Sequence, residues 1–225
     1  MNCLYCRLPI PKSSGWLDWY NSRPQWLCQE CERQFEPIDG QYCFRCMKQS
    51  DVEVEICSDC EKWNGVVPHT LQRNYSLFRY NDFMKGFIAQ WKYRGDYQLG
   101  EVLSPVFNNA FQHVFSRQFT VVIPVPVNNE RKRRRKFNQA EQLALFTGAR
   151  IWRGVDRISA EAQSKKTRHA RMEAKIHFEV TEADVPTKAV IIDDLYTTGA
   201  TVHALAAHLK QAGMREIASM TLIRV

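Results

Sequence analysis

All eight cysteines lie before residue 61, and all fall in Cys-x-x-Cys pairs: Cys3/Cys6, Cys28/Cys31, Cys43/Cys46 and Cys57/Cys60. Two thiolates three positions apart can meet one tetrahedral metal from a tight turn, so four such knuckles supply the ligands of two Cys₄ sites. The chemistry predicted is structural zinc, about two ions per chain. A redox role would need a thioredoxin-like βαβ context, which is missing around these pairs. Disulfides would not persist in a reducing cytosol, and a secreted framework would not repeat one spacing. The simplest pairing is sequential, Cys3/Cys6 with Cys28/Cys31 and Cys43/Cys46 with Cys57/Cys60. Spacing alone also permits an interleaved one.

A second chemical signal is the segment Ala189-Val190-Ile191-Ile192-Asp193-Asp194-Leu195-Tyr196-Thr197-Thr198-Gly199-Ala200-Thr201. It reads as a buried strand that runs out at two adjacent carboxylates and then into a hydroxyl-rich turn opening a helix. Free N–H groups at a helix start attract anions. Thr197, Thr198 and Thr201 add hydroxyl donors, and Gly199 lets the backbone approach a phosphate closely. Asp193 and Asp194 can accept hydrogen bonds from neighbouring sugar hydroxyls. A phosphate on one side and a diol on the other describe a ribose 5-phosphate. An ordinary helix cap would explain one or two of these residues, but not two acids and three threonines around a glycine.

The elements that must hold these groups follow from periodicity and punctuation. Residues 1–65 are turns and knuckles with little apolar pattern, so metal must supply most of their stability. Trp16, Trp19 and Trp26 are expected to pack over that small metal core rather than stack on bases. Residues 66–225 form the second unit. Phe83, Phe87, Ile88 and Trp91 recur at helical spacing, which predicts a helix over 82–93. A second helix is expected over 99–115, a buried strand over 120–127, and a helix over 138–146. A short strand at 157–159 and a polar basic loop through Lys175 follow. The most buried strand is 189–193, with a helix over 199–212 and a closing strand at 217–223. Strand–helix alternation predicts an α/β fold, a mostly parallel sheet with flanking helices.

Composition bounds the partners. The chain has 225 residues, 44% hydrophobic and 24% charged. No run approaches the roughly 20 apolar residues of a membrane span, and the N-terminus lacks the pattern of a signal peptide, so a cytoplasmic protein is expected. Residues 1–70 hold seven Lys/Arg against ten Asp/Glu, so the excess positive charge sits in the second unit. Two basic segments carry much of it: Arg131, Lys132, Arg133, Arg134, Arg135 and Lys136 after Val122-Ile123-Pro124-Val125-Pro126, and Lys165, Lys166, Arg168 and Arg171 in the later loop. A polyanion should bind there and not at the cysteine module. A solvated charged face is the plain alternative for the arginine run.

The segment from Ala189 to Thr201 resembles the phosphoribosyl pyrophosphate (PRPP) motif of type I phosphoribosyltransferases: four apolar residues, two acids, then Thr-Thr-Gly-x-Thr. In that family the acids hold the ribose 2′- and 3′-hydroxyls and the threonine loop holds the 5′-phosphate. By position, PRPP binding falls to Asp193, Asp194, Leu195, Tyr196, Thr197, Thr198, Gly199, Ala200 and Thr201. Knuckles, Pro-Val-Pro with its arginine run and Phe-Asn-Gln, and Gln163 with Arg168 and Arg171 come before that motif. In this order they resemble the ComF family of competence-associated proteins over essentially the whole chain. Lys92 through Asp96 matches the family's Lys-x-x-Gly-Asp element. Lys136 stands where the family has glycine, and Ala174 where it often has asparagine.

The resemblance implies a type I phosphoribosyltransferase-like domain (66–225) behind a double zinc ribbon (1–65). It implies a role in DNA uptake and natural transformation, handling single-stranded DNA beside a competence helicase and binding PRPP. The basic segments would then serve pyrophosphate or the DNA backbone. The alternative is an active phosphoribosyltransferase of nucleotide metabolism, using Mg²⁺ with PRPP and an acceptor that no motif assigns. No residue identifies itself as a general base.

Overall fold

Strands that are apolar on both faces must be covered on both sides, which places helices above and below a parallel sheet. The computed structural model describes residues 1–11, 25–93, 96–128, 133, 136–158 and 177–225, with Tyr93 by its backbone alone. In chain order the elements are α1 (Gln29–Glu32), α2 (Ser58–Val66), β1 (Asn74–Arg79), α3 (Asp82–Tyr93), α4 (Tyr97–Glu101), α5 (Ser104–Val114), β2 (Val121–Pro124), α6 (Gln139–Phe146), β3 (Arg150–Ile151), β4 (Val155–Arg157), β5 (Phe178–Val180), β6 (Lys188–Tyr196), α7 (Ala200–Gln211) and β7 (Glu216–Arg224). Five strands make one sheet in the order β1-β7-β6-β2-β3, and every neighbouring pair is parallel. β4 and β5 form a separate antiparallel pair.

Alternation along β6 divides the core. Ala189 and Ile191 pack with Val202, Leu205, Ala206 and Leu209 of α7. Val190 and Ile192 face the other way, against Met84, Phe87 and Trp91 of α3, Phe107 and Phe111 of α5, and Leu143 of α6. The four apolar residues that begin the phosphate motif therefore cement both layers at once.

The helix expected over 99–115 is two helices. Pro105 sits in the first turn of α5, where its missing N–H and its ring cannot continue a helix through Glu101. Asp96 starts α4 by accepting from the Leu99 N–H at 3.1 Å. The break lets α3, α4 and α6 meet at one point. There the Trp91 indole donates to Gln142 Oε1 at 2.9 Å, and Gln142 Nε2 donates to the Tyr97 carbonyl at 2.9 Å. Gly100 is required there, since a Cβ would lie 2.4 Å from Gln142 Oε1.

The cysteine module is built onto the sheet. Its residues cover the outer edge of β1: the Ile38 N–H donates to the Leu77 carbonyl at 3.0 Å, and the Arg79 N–H to the Glu36 carbonyl at 2.9 Å. Leu4, Tyr5 and Phe35 join the core cluster under α3, with Phe35 5.0 Å from Phe83 and 5.3 Å from Phe87. Metal is therefore not the module's sole support. Trp26 is half-buried, while Trp16 and Trp19 lie outside the described residues. Among the described residues no helix is long and apolar enough to cross a membrane.

Candidate functional site

The knuckles pair sequentially. Cys3, Cys6, Cys28 and Cys31 gather at one point and Cys43, Cys46, Cys57 and Cys60 at another, with the sulfurs of each group within 4.8 Å of one another. After both Cys3-x-x-Cys6 and Cys43-x-x-Cys46 the chain turns through a left-handed residue, Arg7 (φ 66°) and Met47 (φ 57°). Each folds its N–H back onto the first cysteine's carbonyl, at 3.0 and 2.8 Å. Sulfurs stand 3.7 Å apart for Cys6–Cys28 and Cys46–Cys57, and 4.0 Å for Cys43–Cys60. A tetrahedron with Zn–S bonds of about 2.3 Å has edges of about 3.8 Å, so both donor sets fit zinc. The Cys57 N–H donates to Cys43 Sγ at 3.3 Å, the backbone support expected of a thiolate ligand.

β6 runs further than expected, through Asp193 and Asp194 to Tyr196, because β7 stays in register with it to Tyr196↔Arg224. Asp194, like Asp193, thus sits within the strand rather than beyond it. Asp194, in line with Val190 and Ile192, points toward α3 and forms a close ion pair with Lys92 Nζ. Both side chains are 12% exposed, so water screens this contact little. Asp193 keeps some surface open to solvent. Burial first and the charge of Asp194 second push its carboxyl up to about 8, against the opposing pull of Lys92. One carboxylate is thus neutralised by a lysine and the other tends to keep a proton.

This arrangement has a measurable cost. An acid that holds its proton more tightly when folded loses folding stability as pH rises from its unfolded value, about 4, toward its folded one. Asp193→Asn should therefore be more stable than the parent at pH 8 by at least about 1 kcal/mol, or about 2–4 °C in Tm. The gap should close at pH 4. Thermal unfolding across that range checks it, and a gap independent of pH would contradict it.

Thr197, Thr198 and Gly199 turn the chain into α7, with Gly199 at φ 80°. A Cβ there would lie 2.4 Å from Tyr196 Oη, so both conformation and space require glycine. Residues Thr197 to Thr201, with Leu195 and Val202, line a cavity of about 60 Å³. His203, one turn into α7, meets Tyr196 Oη through Nε2 at 3.2 Å. Burial, with Arg45 adding a smaller effect, lowers it to about 4, so it stays neutral behind the loop.

β2 lies beside β6, and the Val125 N–H continues that pairing to the Ile192 carbonyl at 2.9 Å. Both strands are parallel, so the chain leaves β2 for its arginine run at the edge where β6 ends, the ligand edge of an open α/β sheet. Arg133 and Lys136 are exposed. Lys136 holds φ 68°, the left-handed backbone that its glycine counterpart would adopt without strain. Phe137 anchors the segment against Tyr97 at 5.2 Å, and Asn138 Nδ2 donates to the Val125 carbonyl at 3.0 Å. Arg131, Arg134, Arg135, Lys165, Lys166, Arg168 and Arg171 lie outside the described residues. β4 and β5 are joined just beyond their paired residues by the Ile158 N–H to the His177 carbonyl at 3.1 Å.

A parallel sheet whose central strand ends in this acidic and threonine-rich loop, preceded by two Cys₄ groups, defines a protein of the open α/β class with its loop at the ligand edge. The chain belongs to the ComFC family of competence proteins. It is 31% identical to competence protein ComFC of Bacillus subtilis over 99% of this chain and 94% of that protein. It is also 31% identical to ComFC of Streptococcus pneumoniae, over 88% and 87% of the two chains. Competence protein F of Haemophilus influenzae is 22% identical over 99% and 96%. A purine phosphoribosyltransferase from Pyrococcus horikoshii is similar to 59% of this chain, with 80% of its own length covered, at 17% identity and a TM-score of 0.30, too low to weigh on the fold. No family model matches the chain.

Proposed function

We propose that this protein serves DNA uptake and natural transformation from the cytoplasm, as a PRPP-binding and single-stranded-DNA-binding partner of a competence helicase. Residues 1–65 act as its zinc ribbon and 66–225 as its ligand-binding unit. The observation that carries this reading is the edge at the end of β6. Asp193 and Asp194 precede the Thr197–Gly199 turn, and β2, which the arginine run follows in sequence, ends at the same edge. The acids take the ribose diol, the turn takes the 5′-phosphate, and the cationic segments take pyrophosphate or DNA phosphates. Lys92 fixes Asp194 at this edge through an ion pair. Calorimetric titration with PRPP should give one saturable site per chain. No heat of binding, with ribose 5-phosphate and Mg²⁺ also supplied, would remove the assignment.

The second reading, a working phosphoribosyltransferase, rests on the same edge. Cations beside a ribose site would stabilise the departing pyrophosphate. It requires pyrophosphate release from PRPP when bases or DNA are offered as acceptors, whereas a binding protein gives none.

DNA binding is expected to be insensitive to sequence and sensitive to salt. Log affinity for single-stranded DNA should fall with log salt at a slope of about −0.7 per phosphate neutralised. Replacing Arg133, Arg134 and Arg135 by Ala should flatten that slope by about two if each contacts one phosphate. PRPP should compete if both ligands draw on these cations. Unchanged affinity and slope would make the arginine run a solubility feature.

A further inference from the structure

The carbonyl groups of the phosphate turn are held by the cysteine module. Trp63 lies one helical turn beyond Cys60 on α2, and its indole Nε1 donates to the Thr198 carbonyl at 2.7 Å. The same ring stacks on His203 of α7, centroids 4.4 Å apart and planes 11° from parallel. Arg224, buried at the end of β7, ties the other side. Its Nε donates to the Cys46 carbonyl at 3.1 Å and its Nη2 approaches Cys46 Sγ at 3.8 Å. Its Nη1 donates to the Thr197 carbonyl at 2.8 Å and the Tyr196 carbonyl at 3.1 Å. The guanidinium also lies 5.0 Å over the Tyr196 ring. One side chain therefore touches a metal ligand and the turn that follows β6.

The consequence for ligand binding comes from peptide geometry. The peptides here are trans, so each carbonyl and the next N–H point in opposite directions. Drawing the Thr197 and Thr198 carbonyls toward the module turns the Thr198 and Gly199 N–H groups away from it. Neither N–H has a partner among the described residues. Those are the donors an anion at this turn would use. Among the described residues the other Cys₄ group packs on Tyr5, Phe35, Phe83 and Val102, and Arg7 beside it reaches Asp96 at 2.6 Å, so neither contact touches the turn.

Building on the phosphate reading of the turn, we infer that Trp63 and Arg224 are positioning residues through which the Cys43–Cys46–Cys57–Cys60 site sets the anion-binding geometry. Metal at that site and anion at the turn then favour each other, and the linkage is reciprocal. The other metal site is indifferent to the anion.

The test uses the full zinc-loaded chain, with PRPP and inorganic phosphate as probes. Zinc release to a chelator, followed with a colorimetric indicator, should separate into two equivalents. Saturating PRPP should slow one of them by about threefold or more, the scale of one hydrogen bond. Trp63→Phe, which keeps the ring and removes the donor, should retain both zinc ions and the parent's Tm. It should bind PRPP about threefold to tenfold more weakly and lose most of the protection. Arg224→Lys should show the same loss, and Arg224→Gln a larger one. If the arginine variants fail to fold, Trp63→Phe decides alone. Its tryptophan emission supplies a second readout, because the PRPP-induced change seen in the parent should be reduced. Equal PRPP affinity in Trp63→Phe, with release of both equivalents from the parent unaffected by PRPP, would overturn the coupling while leaving the binding site in place. A parent that binds neither PRPP nor phosphate would overturn the phosphate reading, and the coupling with it.

Discussion

Replacing Asp193 and Asp194 together by Asn is expected to weaken PRPP binding by about two orders of magnitude or more while leaving the fold intact. Hydrogen bonds to charged groups are worth about 1.5–3 kcal/mol each, and two such bonds to the ribose diol set a ceiling near 10⁴-fold. Two features of the site lower that ceiling. Asp194 is already engaged by Lys92, so a sugar hydroxyl must share or displace an ammonium. Asp193 must also give up a tightly held proton to accept as a carboxylate. The single variants should therefore differ. Asp194→Asn frees a buried lysine charge and should cost some stability, whereas Asp193→Asn removes a carboxyl that is costly to ionise. Calorimetry on the parent and all three variants at pH 7.5 checks this. Unchanged affinity in the double variant, with binding by the parent established, would place the sugar elsewhere.

Removing the metals is expected to produce the largest structural effect. Zinc bound by four thiolates contributes about 10–16 kcal/mol in isolated ribbons, as much as the whole stability of an ordinary domain. Metal analysis should find about two zinc ions per chain, and Cys→Ser at any ligand should lose one. The damage should not stop at the module. Cys43, Cys46 and Cys60 belong to the same buried cluster as Ile191, Val202 and Leu205. Loss of the second site therefore opens the layer that carries α7 and the phosphate turn. Loss of the first site releases Tyr5 and Phe35 from α3. Far-ultraviolet circular dichroism and limited proteolysis after chelation should report loosening in both parts, with cleavage beginning before residue 70. Protein purified under reducing conditions with no bound zinc would contradict the assignment.

The legible parts of this protein are those whose chemistry is contiguous in the chain. A Cys-x-x-Cys turn is a local object, and its four copies read as two metal sites without any knowledge of the fold. The segment from Ala189 to Thr201 holds strand, acids, turn and helix start in one run, so its placement at a strand end was also within reach. The strongly periodic helix α3 has the limits that its spacing predicts, Asp82–Tyr93. β1 was missed because its inward residues are partly polar. Asn74 and Ser76 are buried only because β7 supplies matching hydroxyls, with Ser76 Oγ 2.7 Å from Thr221 Oγ1 and Ser219 donating to Asn74 at 2.9 Å. No hydrophobic pattern announces a strand whose satisfaction lies across the sheet.

By itself, the sequence determined the donor types, the turns that present them, and the parallel α/β class. Only the tertiary structure decided which knuckles share a metal, because sulfur positions follow from how the turns stack, not from their spacing. Only it decided that Lys92 neutralises Asp194, that Trp63 reaches Thr198, and that Arg224 joins Cys46 to Thr197. Each of these pairs is remote in the chain, and each is brought together by the strand order β1-β7-β6-β2-β3. That order places β7's last residues beside the end of β6 and beneath the second Cys₄ site. A short-range pattern can specify a group's chemistry, but its partner is set by which surfaces must be buried together.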